Sequence, residues 1–152
     1  HAVMKITLFM CAGCIIVRTH LHDISEMDGI GHRMPVTMGC FAIASLGIAG
    51  TPFIVGFISK WNLAQGALST GLSFSWIGPA ALLISAILTA AYLFTIVIKG
   101  CFPGEEVKAE PRCEAGVRML LPMAVYSLLI VGLGIFSGNL VSYLETLAAA
   151  FL

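Results

Sequence analysis

The chain has 152 residues, of which 59% are hydrophobic and 11% are charged, and its mean hydropathy is +0.98. Soluble domains typically have about a quarter of their residues charged and expose much of their surface to water, so this composition excludes a soluble globular or disordered protein. The formal net charge is zero, which excludes a basic surface for nucleic acid. The sequence predicts an all-α, polytopic membrane helix bundle.

Charged loops divide the chain into apolar segments that are long enough to cross a membrane. Stretches of about 20 residues with few charges predict transmembrane helices. Such stretches cover residues 1–17, 36–69, 76–98 and 119–137 of a single transmembrane domain. The tail at 139–152 is too short to span, which predicts an interfacial helix. Because the sequence starts inside an apolar segment, we expect it to be a fragment of a longer protein.

The segment at 36–69 is long for one crossing and short for two. A straight helix of that length would measure about 50 Å, whereas the hydrocarbon core is about 30 Å thick. One crossing places the Lys and Arg residues of both charged loops on the same, cytoplasmic side. Pro52 removes the hydrogen bond to the Ile48 carbonyl, and Gly50 and Gly56 flank it. The sequence therefore predicts one crossing by a broken transmembrane helix.

Two lysines lie within the apolar segments, where a charge is costly and marks a candidate functional site. Lys5 lies about 20 Å of helical rise before Arg18, near the bilayer midplane, and His1 is one turn earlier on the same face. Lys60 is the only charge between Arg33 and Lys99. We predict that Lys60, Lys5 and His1 carry protons. A second interpretation stays open, in which both lysines extend to the membrane surface and Lys60 anchors there.

The cysteines and loop histidines do not form a recognisable cofactor site. Cys11 and Cys14 form a C-x-x-C inside an apolar helix without a second pair, which favours small-residue packing over a metal or redox centre. The histidines of the first loop lack a known ligand spacing, and the acidic residues around Lys108 alternate with basic ones. We expect both loops to be solvated and expect no metal and no cofactor.

Three motifs resemble those of one family. Residues 1–9 match H-x-x-x-K-x-x-L-F, residues 27–35 resemble M-x-G-L-G-x-R-M-P with Ile30 in place of Leu, and residues 50–60 match G-x-P…G-F-x-S-K. The chain thus resembles the antiporter-like, proton-translocating membrane subunits of complex I, membrane-bound hydrogenases and Mrp-type cation/proton antiporters, and it looks most similar to the D component of the Mrp-type antiporters. One departure is Phe53, which stands where the family typically has a second proline.

The resemblance implies the C-terminal half of a subunit built from two inverted repeats, each with a broken helix. It implies that Lys60 is the proton-carrying lysine of the second broken helix, and that Lys5 and His1 belong to a polar axis along the membrane centre. It also implies other membrane subunits as partners, protons and Na⁺ as transported ions, and a prokaryotic cell membrane as the location. Redox cofactors would belong to partner subunits.

These observations lead to one functional prediction and two alternatives. We predict a proton-conducting subunit of a multi-subunit Na⁺/proton antiporter, with no catalytic chemistry in this chain. The first alternative is the same module in an NADH:quinone oxidoreductase or a membrane-bound hydrogenase. The second is a solute transporter with a broken-helix site, although the apolar segments contain few polar side chains that could bind a solute at the membrane midplane. A structural anchor is disfavoured because an anchor gains nothing from buried charge.

Overall fold

The structure, a computed structural model, describes residues 1–71, 74–102 and 111–151. All regular secondary structure in these residues is helical, which confirms the all-α fold predicted from composition. Within this part of the chain, three helices are long and apolar enough to cross a membrane: Ala2–Thr19, Ile77–Cys101 and Val117–Ile135. In chain order the helices are α1 (Ala2–Thr19), a short 3-10 helix (Ile24–Glu26), α2 (Ile30–Arg33), α3 (Pro35–Ala49), α4 (Val55–Ser69), α5 (Ile77–Cys101), α6 (Val117–Ile135) and α7 (Ser137–Phe151).

The core lies where α1, α3 and α6 pack together. Near one end of α1, Met4 and Ile130 of α6 belong to one buried cluster. Seven residues further along α1, the Cys11 thiol lies 3.5 Å from the Met123 sulfur of α6. Because the same seven-residue step runs forwards on α1 and backwards on α6, the two helices are antiparallel.

The predicted broken helix is present as two short helices, α3 and α4, which contact successive parts of α5. Gly100, near the end of α5, packs against Met38 of α3. Gly78, near the start of α5, packs against Ala67 of α4. The 25 residues of α5 extend for about 38 Å, enough to cross the hydrocarbon core once. This arrangement supports a single crossing by α3 and α4 together, in the direction opposite to α5.

Several helix ends differ from the predicted spans. α1 continues to Thr19 instead of ending at 17, and α5 continues to Cys101 instead of 98. In both cases a basic residue, Arg18 or Lys99, lies in the last helical turn, where a cation interacts favourably with the terminal carbonyls. α6 covers Val117–Ile135, two residues earlier than predicted at each end. The second charged loop around Lys108 lies mostly outside the described residues.

α7 has one apolar and one polar face and makes few contacts beyond its junction with α6. Its large apolar side chains fall on one side of a helical projection and are exposed. The polar side chains fall on the other side. We propose that α7 lies in the membrane interface, with its apolar face towards the acyl chains. The apolar residues are Leu140, Tyr143, Leu144 and Leu147, and the polar residues are Asn139, Ser142, Glu145 and Thr146.

Spin labels placed around α7 should show this orientation. Labels at Leu144 and Leu147 should collide mainly with oxygen, which concentrates among acyl chains, whereas labels at Ser142 and Thr146 should collide mainly with a water-soluble nickel chelate. A label at Leu128, which is exposed on α6, is the deep control. Protection of all four α7 positions from both reagents would show a protein contact instead, and oxygen access at all four would show a spanning helix.

Candidate functional site

The backbone break between α3 and α4 provides the centre of the site. α3 ends at Ala49 and α4 begins at Val55, so the interruption lies where the sequence predicts it. Gly50 has φ +86°, a left-handed conformation that glycine adopts without the steric cost of a side chain. Pro52 follows within the turn and cannot donate a backbone hydrogen bond. The chain then re-enters a helix through Ile54, which is extended.

All four terminal carbonyls of α3 have donors, and two of them depend on Lys60. The Leu46 carbonyl accepts from the Gly50 and Thr51 amides and from the Thr51 hydroxyl. The Gly47 carbonyl accepts from the Gly50 amide at 3.2 Å. The last two carbonyls, those of Ile48 and Ala49, accept from the Lys60 ammonium at 2.8 Å and 3.1 Å. The Lys60 side chain therefore satisfies the last two carbonyls of a helix whose C-cap residue is Gly50.

The Lys60 side chain reaches the break by lying against Gly50. A Cβ atom on Gly50 would come within 3.1 Å of the Lys60 Cδ and 3.3 Å of its Nζ. Glycine at this position thus adopts the left-handed conformation and also leaves space for the Lys60 side chain to pass. Lys60 is partly buried, and its ammonium is directed back to the end of α3. This geometry favours the interior interpretation over an anchor that extends to the membrane surface.

Gly56 flanks the break, as predicted, and it also has a packing role that the sequence did not indicate. The sequence predicts Gly56 as a source of slack beside the break, and in the structure it is a buried residue in the first turn of α4. A side chain there would overlap the backbone carbonyl of Gly47, so Gly56 allows α4 to touch α3. Gly134 of α6 makes a similar approach to the backbone of Phe53 and Ile54. The break is therefore held by backbone contacts from two sides.

A cavity of about 400 Å³ lies between α4 and α5 next to Lys60. Its walls are mostly apolar and include Phe57 and Trp61, whose rings stack with centroids 5.8 Å apart, and Leu82 and Ala86 of α5. Lys60 supplies the charged group in this lining. The Lys60 side chain thus has carbonyl oxygens in front of it and an apolar space beside it.

The structure does not bring Lys5 and His1 together with Lys60. Met4 packs against Gly47, so its neighbour Lys5 lies at the level of the break. However, Lys5 and His1 are exposed rather than part of this packed face of α1. Among the described residues, neither side chain has a hydrogen-bond partner, and their only mutual bond joins the Lys5 amide to the His1 carbonyl. Their roles in proton transfer stay predictions.

The sulfur-containing residues form packing contacts. The Cys11 and Cys14 thiols lie 3.5 Å and 3.9 Å from the Met123 sulfur, and all three side chains are buried. The five cysteines are free. Within the described ranges, no three His, Cys, Asp or Glu side chains lie close enough together to hold a metal ion.

Glu114, which the sequence predicts to lie in a solvated loop, has a structural contact that was not predicted. The Glu114 carboxylate accepts from the Val36 amide at 2.6 Å and from the Thr37 hydroxyl at 3.1 Å, so it occupies the beginning of α3. Arg18 donates two hydrogen bonds to the Glu114 backbone carbonyl. Glu114 caps α3, which begins at Pro35 and whose Val36 amide lies 78 residues earlier in the chain, so no local sequence pattern could have indicated this contact.

Comparison with known proteins gives the family. A family profile described as NADH:quinone oxidoreductase/Mrp antiporter, TM, matches residues 1–89, which contain His1, Lys5, the break and Lys60. The chain belongs to this family. It is accordingly a multi-pass integral membrane protein, in agreement with its apolar helices. The family of antiporter-like subunits that the motifs resemble is thereby confirmed, whereas a particular closeness to the D component of the Mrp-type antiporters is not shown.

Curated relatives resemble nearly the whole chain. Subunit N of NADH-quinone oxidoreductase from Desulforudis audaxviator is 36% identical over 93% of this chain. Subunit L of F(420)H(2) dehydrogenase from Methanosarcina mazei and component B of hydrogenase-4 from Escherichia coli are each 30% identical, over 88% and 99% of this chain. The chain spans 30%, 21% and 24% of the length of these three relatives.

Gly56→Ala tests the contact between the two half-helices. The new methyl group must displace the Gly47 backbone, and such overpacking typically costs about 1–3 kcal/mol. The melting temperature of the full-length protein, measured with a thiol-reactive dye that reports the buried cysteines, should fall by several degrees. Gly66→Ala in the same helix is the matched control, because a side chain there meets nothing within 4 Å. An equal effect of both variants would contradict the assigned contact.

Proposed function

We propose that this chain is a proton-conducting part of a multi-subunit membrane complex, and that Lys60 is its central proton carrier. The observation that supports this most directly is the contact of the Lys60 ammonium with the Ile48 and Ala49 carbonyls at a break inside the bundle. Membership of the family supports it independently.

The geometry links the protonation of Lys60 to the position of its side chain. A charged ammonium makes strong, charge-assisted hydrogen bonds to carbonyl oxygens, whereas a neutral amine makes weaker ones. Proton loss would therefore loosen the contact with Ile48 and Ala49. The four-carbon stem is flexible, and the adjacent cavity offers space for it. Lys60 can thus accept a proton in one position and release it in another.

Lys5 and His1 fit the same proposal as parts of a path that extends beyond the core of α1, α3 and α6. They lie on one face of α1, at the level of the break, and this face is exposed. A lysine at this depth needs polar neighbours or water. We propose that further helices of the longer protein, or water, meet this face of α1 and connect it to Lys60.

Substitutions at Lys60 test the proposal. In everted vesicles that contain the full-length protein, Lys60→Ala should reduce proton transport by about 100-fold or more, a typical contribution of a positioned proton-transfer group. Lys60→Arg should be nearly as inactive, because a guanidinium can contact the carbonyls but cannot release its proton. Lys60→Glu should keep partial activity, because a carboxylic acid can donate to a carbonyl and can also titrate. Dye quenching measures transport at matched expression.

The matched control is Lys99→Ala, which removes a lysine at the end of α5, away from the break. It should transport protons at the wild-type rate. A Lys60→Arg variant with full activity would remove Lys60 from the proton path, because it would show that only the fixed charge matters.

Two driving forces remain candidates for the complex. The resemblance to the D component of the Mrp-type antiporters suggests exchange of Na⁺ for protons. The relatives, however, have names that designate subunits of an oxidoreductase, a dehydrogenase and a hydrogenase, which favours a redox-driven complex. In either case we propose that the partners are other membrane subunits and that any redox cofactor is bound by them. The polar groups at the break are few and engaged, which makes a solute-binding site less suitable.

Vesicles can distinguish the two driving forces. In a redox-driven complex, an electron donor should acidify the vesicle interior, and NaCl added after acidification should leave the pH gradient intact. Lys60→Ala should abolish this acidification. The electron-transfer rate is measured in parallel, so that a loss of proton transport can be told apart from a loss of the redox reaction. A pH gradient that NaCl collapses without any electron donor, in wild type but not in Lys60→Ala, would identify the Na⁺/proton antiporter instead.

A further inference from the structure

The coil that precedes α6 is docked onto the ends of three other helices. The Cys113 amide donates to the Arg33 carbonyl at the end of α2 at 2.9 Å. Arg18, in the last turn of α1, donates to the Glu114 carbonyl at 3.0 Å and 2.7 Å. The Glu114 side chain then reaches the first turn of α3. One short segment thus fixes how α1, α2 and α3 begin or end.

Glu114 supplies the cap that α3 lacks within its own sequence. α3 begins with Pro35 and has no side-chain cap from its N-cap residue, Met34. The free amide of Val36 donates to one Glu114 carboxylate oxygen, and the buried Thr37 hydroxyl donates to the other. A negative charge at a helix N-terminus interacts favourably with the helix dipole. The contact therefore satisfies donors and places a charge at the positive end of α3.

α3 consequently has an opposite charge at each end. Its N-terminus contacts the Glu114 carboxylate, and its C-terminal carbonyls contact the Lys60 ammonium. The helix has 15 residues, so the two charges are about 22 Å apart. Both charges complement the helix dipole, and α3 crosses an environment where water screens little.

We propose that Glu114 is a positioning residue for Lys60 and acts through the dipole of α3. The carboxylate offsets the positive pole of the helix, so the potential at the Ile48 and Ala49 carbonyls is more negative. The Lys60 ammonium is then held more firmly against these oxygens. Removal of the Glu114 charge loosens the ammonium at the far end of the helix. This inference rests on the proposed function of Lys60.

Charge and shape can be separated at Glu114. Glu114→Gln keeps the size of the side chain and one acceptor oxygen but removes the charge. Two charges about 22 Å apart still interact at the effective dielectric constant of a protein, so proton transport should fall by about threefold. Glu114→Gln combined with Val36→Asp should restore most of the rate, because Val36 is exposed in the first turn of α3 and an aspartate there returns a negative charge to the same helix end.

Three controls make the outcome decisive. Glu26→Gln removes an exposed carboxylate from the 3-10 helix and should leave transport unchanged. The melting temperature of each variant is measured with the thiol-reactive dye. Lys60→Ala reports separately on the proposed function. If Lys60→Ala transports normally, the proposed function fails and this inference fails with it.

The inference alone is overturned by either of two results, provided that Lys60→Ala is inactive. One is a wild-type rate for Glu114→Gln. The other is a loss in Glu114→Gln that Val36→Asp does not restore, accompanied by a lower melting temperature, because it would show that Glu114 serves only to hold the helices together.

Discussion

A helix that ends inside a membrane leaves carbonyl oxygens that lipid cannot satisfy, and the structure depends on how α3 meets this constraint. Each unsatisfied group in such an environment costs several kcal/mol. The turn at Gly50 and Thr51 satisfies the Leu46 and Gly47 carbonyls. The remaining pair requires a donor from elsewhere, and Lys60 provides it. The lysine is thus part of the fold as well as the candidate proton carrier.

The surrounding packing keeps this arrangement in place. Close backbone contacts at Gly56 and Gly134 hold α4 and α6 against the break. Met4 of α1 fills the space beside Gly47. These close contacts leave the backbone around the break little room to shift. On the proposed function, the carbonyl pair and the Lys60 amine would form a site whose state depends on one proton.

The parts of the site that were predictable from sequence are those that depend on local spacing. The Gly50–Pro52 interruption, with Lys60 about two helical turns beyond it, follows from local spacing, whereas the contact of Lys60 with the last carbonyls of α3 was seen only in the structure. Glu114 was missed because its partners at the start of α3 lie in a distant part of the sequence, and only the packing of α1, α3 and α6 brings them together. The depth of Lys5 could be predicted from the helical rise along α1. Its neighbours could not be predicted, because they depend on how the helices pack.

The division of one crossing into two short helices has a consequence for biosynthesis. α3 and α4 have 15 residues each, about 22 Å, so neither is long enough to cross the bilayer alone. α4 also contains a lysine, which penalises its partition into lipid as a separate segment. The insertion machinery must therefore release the two halves together, or retain α3 until α4 has been synthesised and the amine has reached the carbonyls.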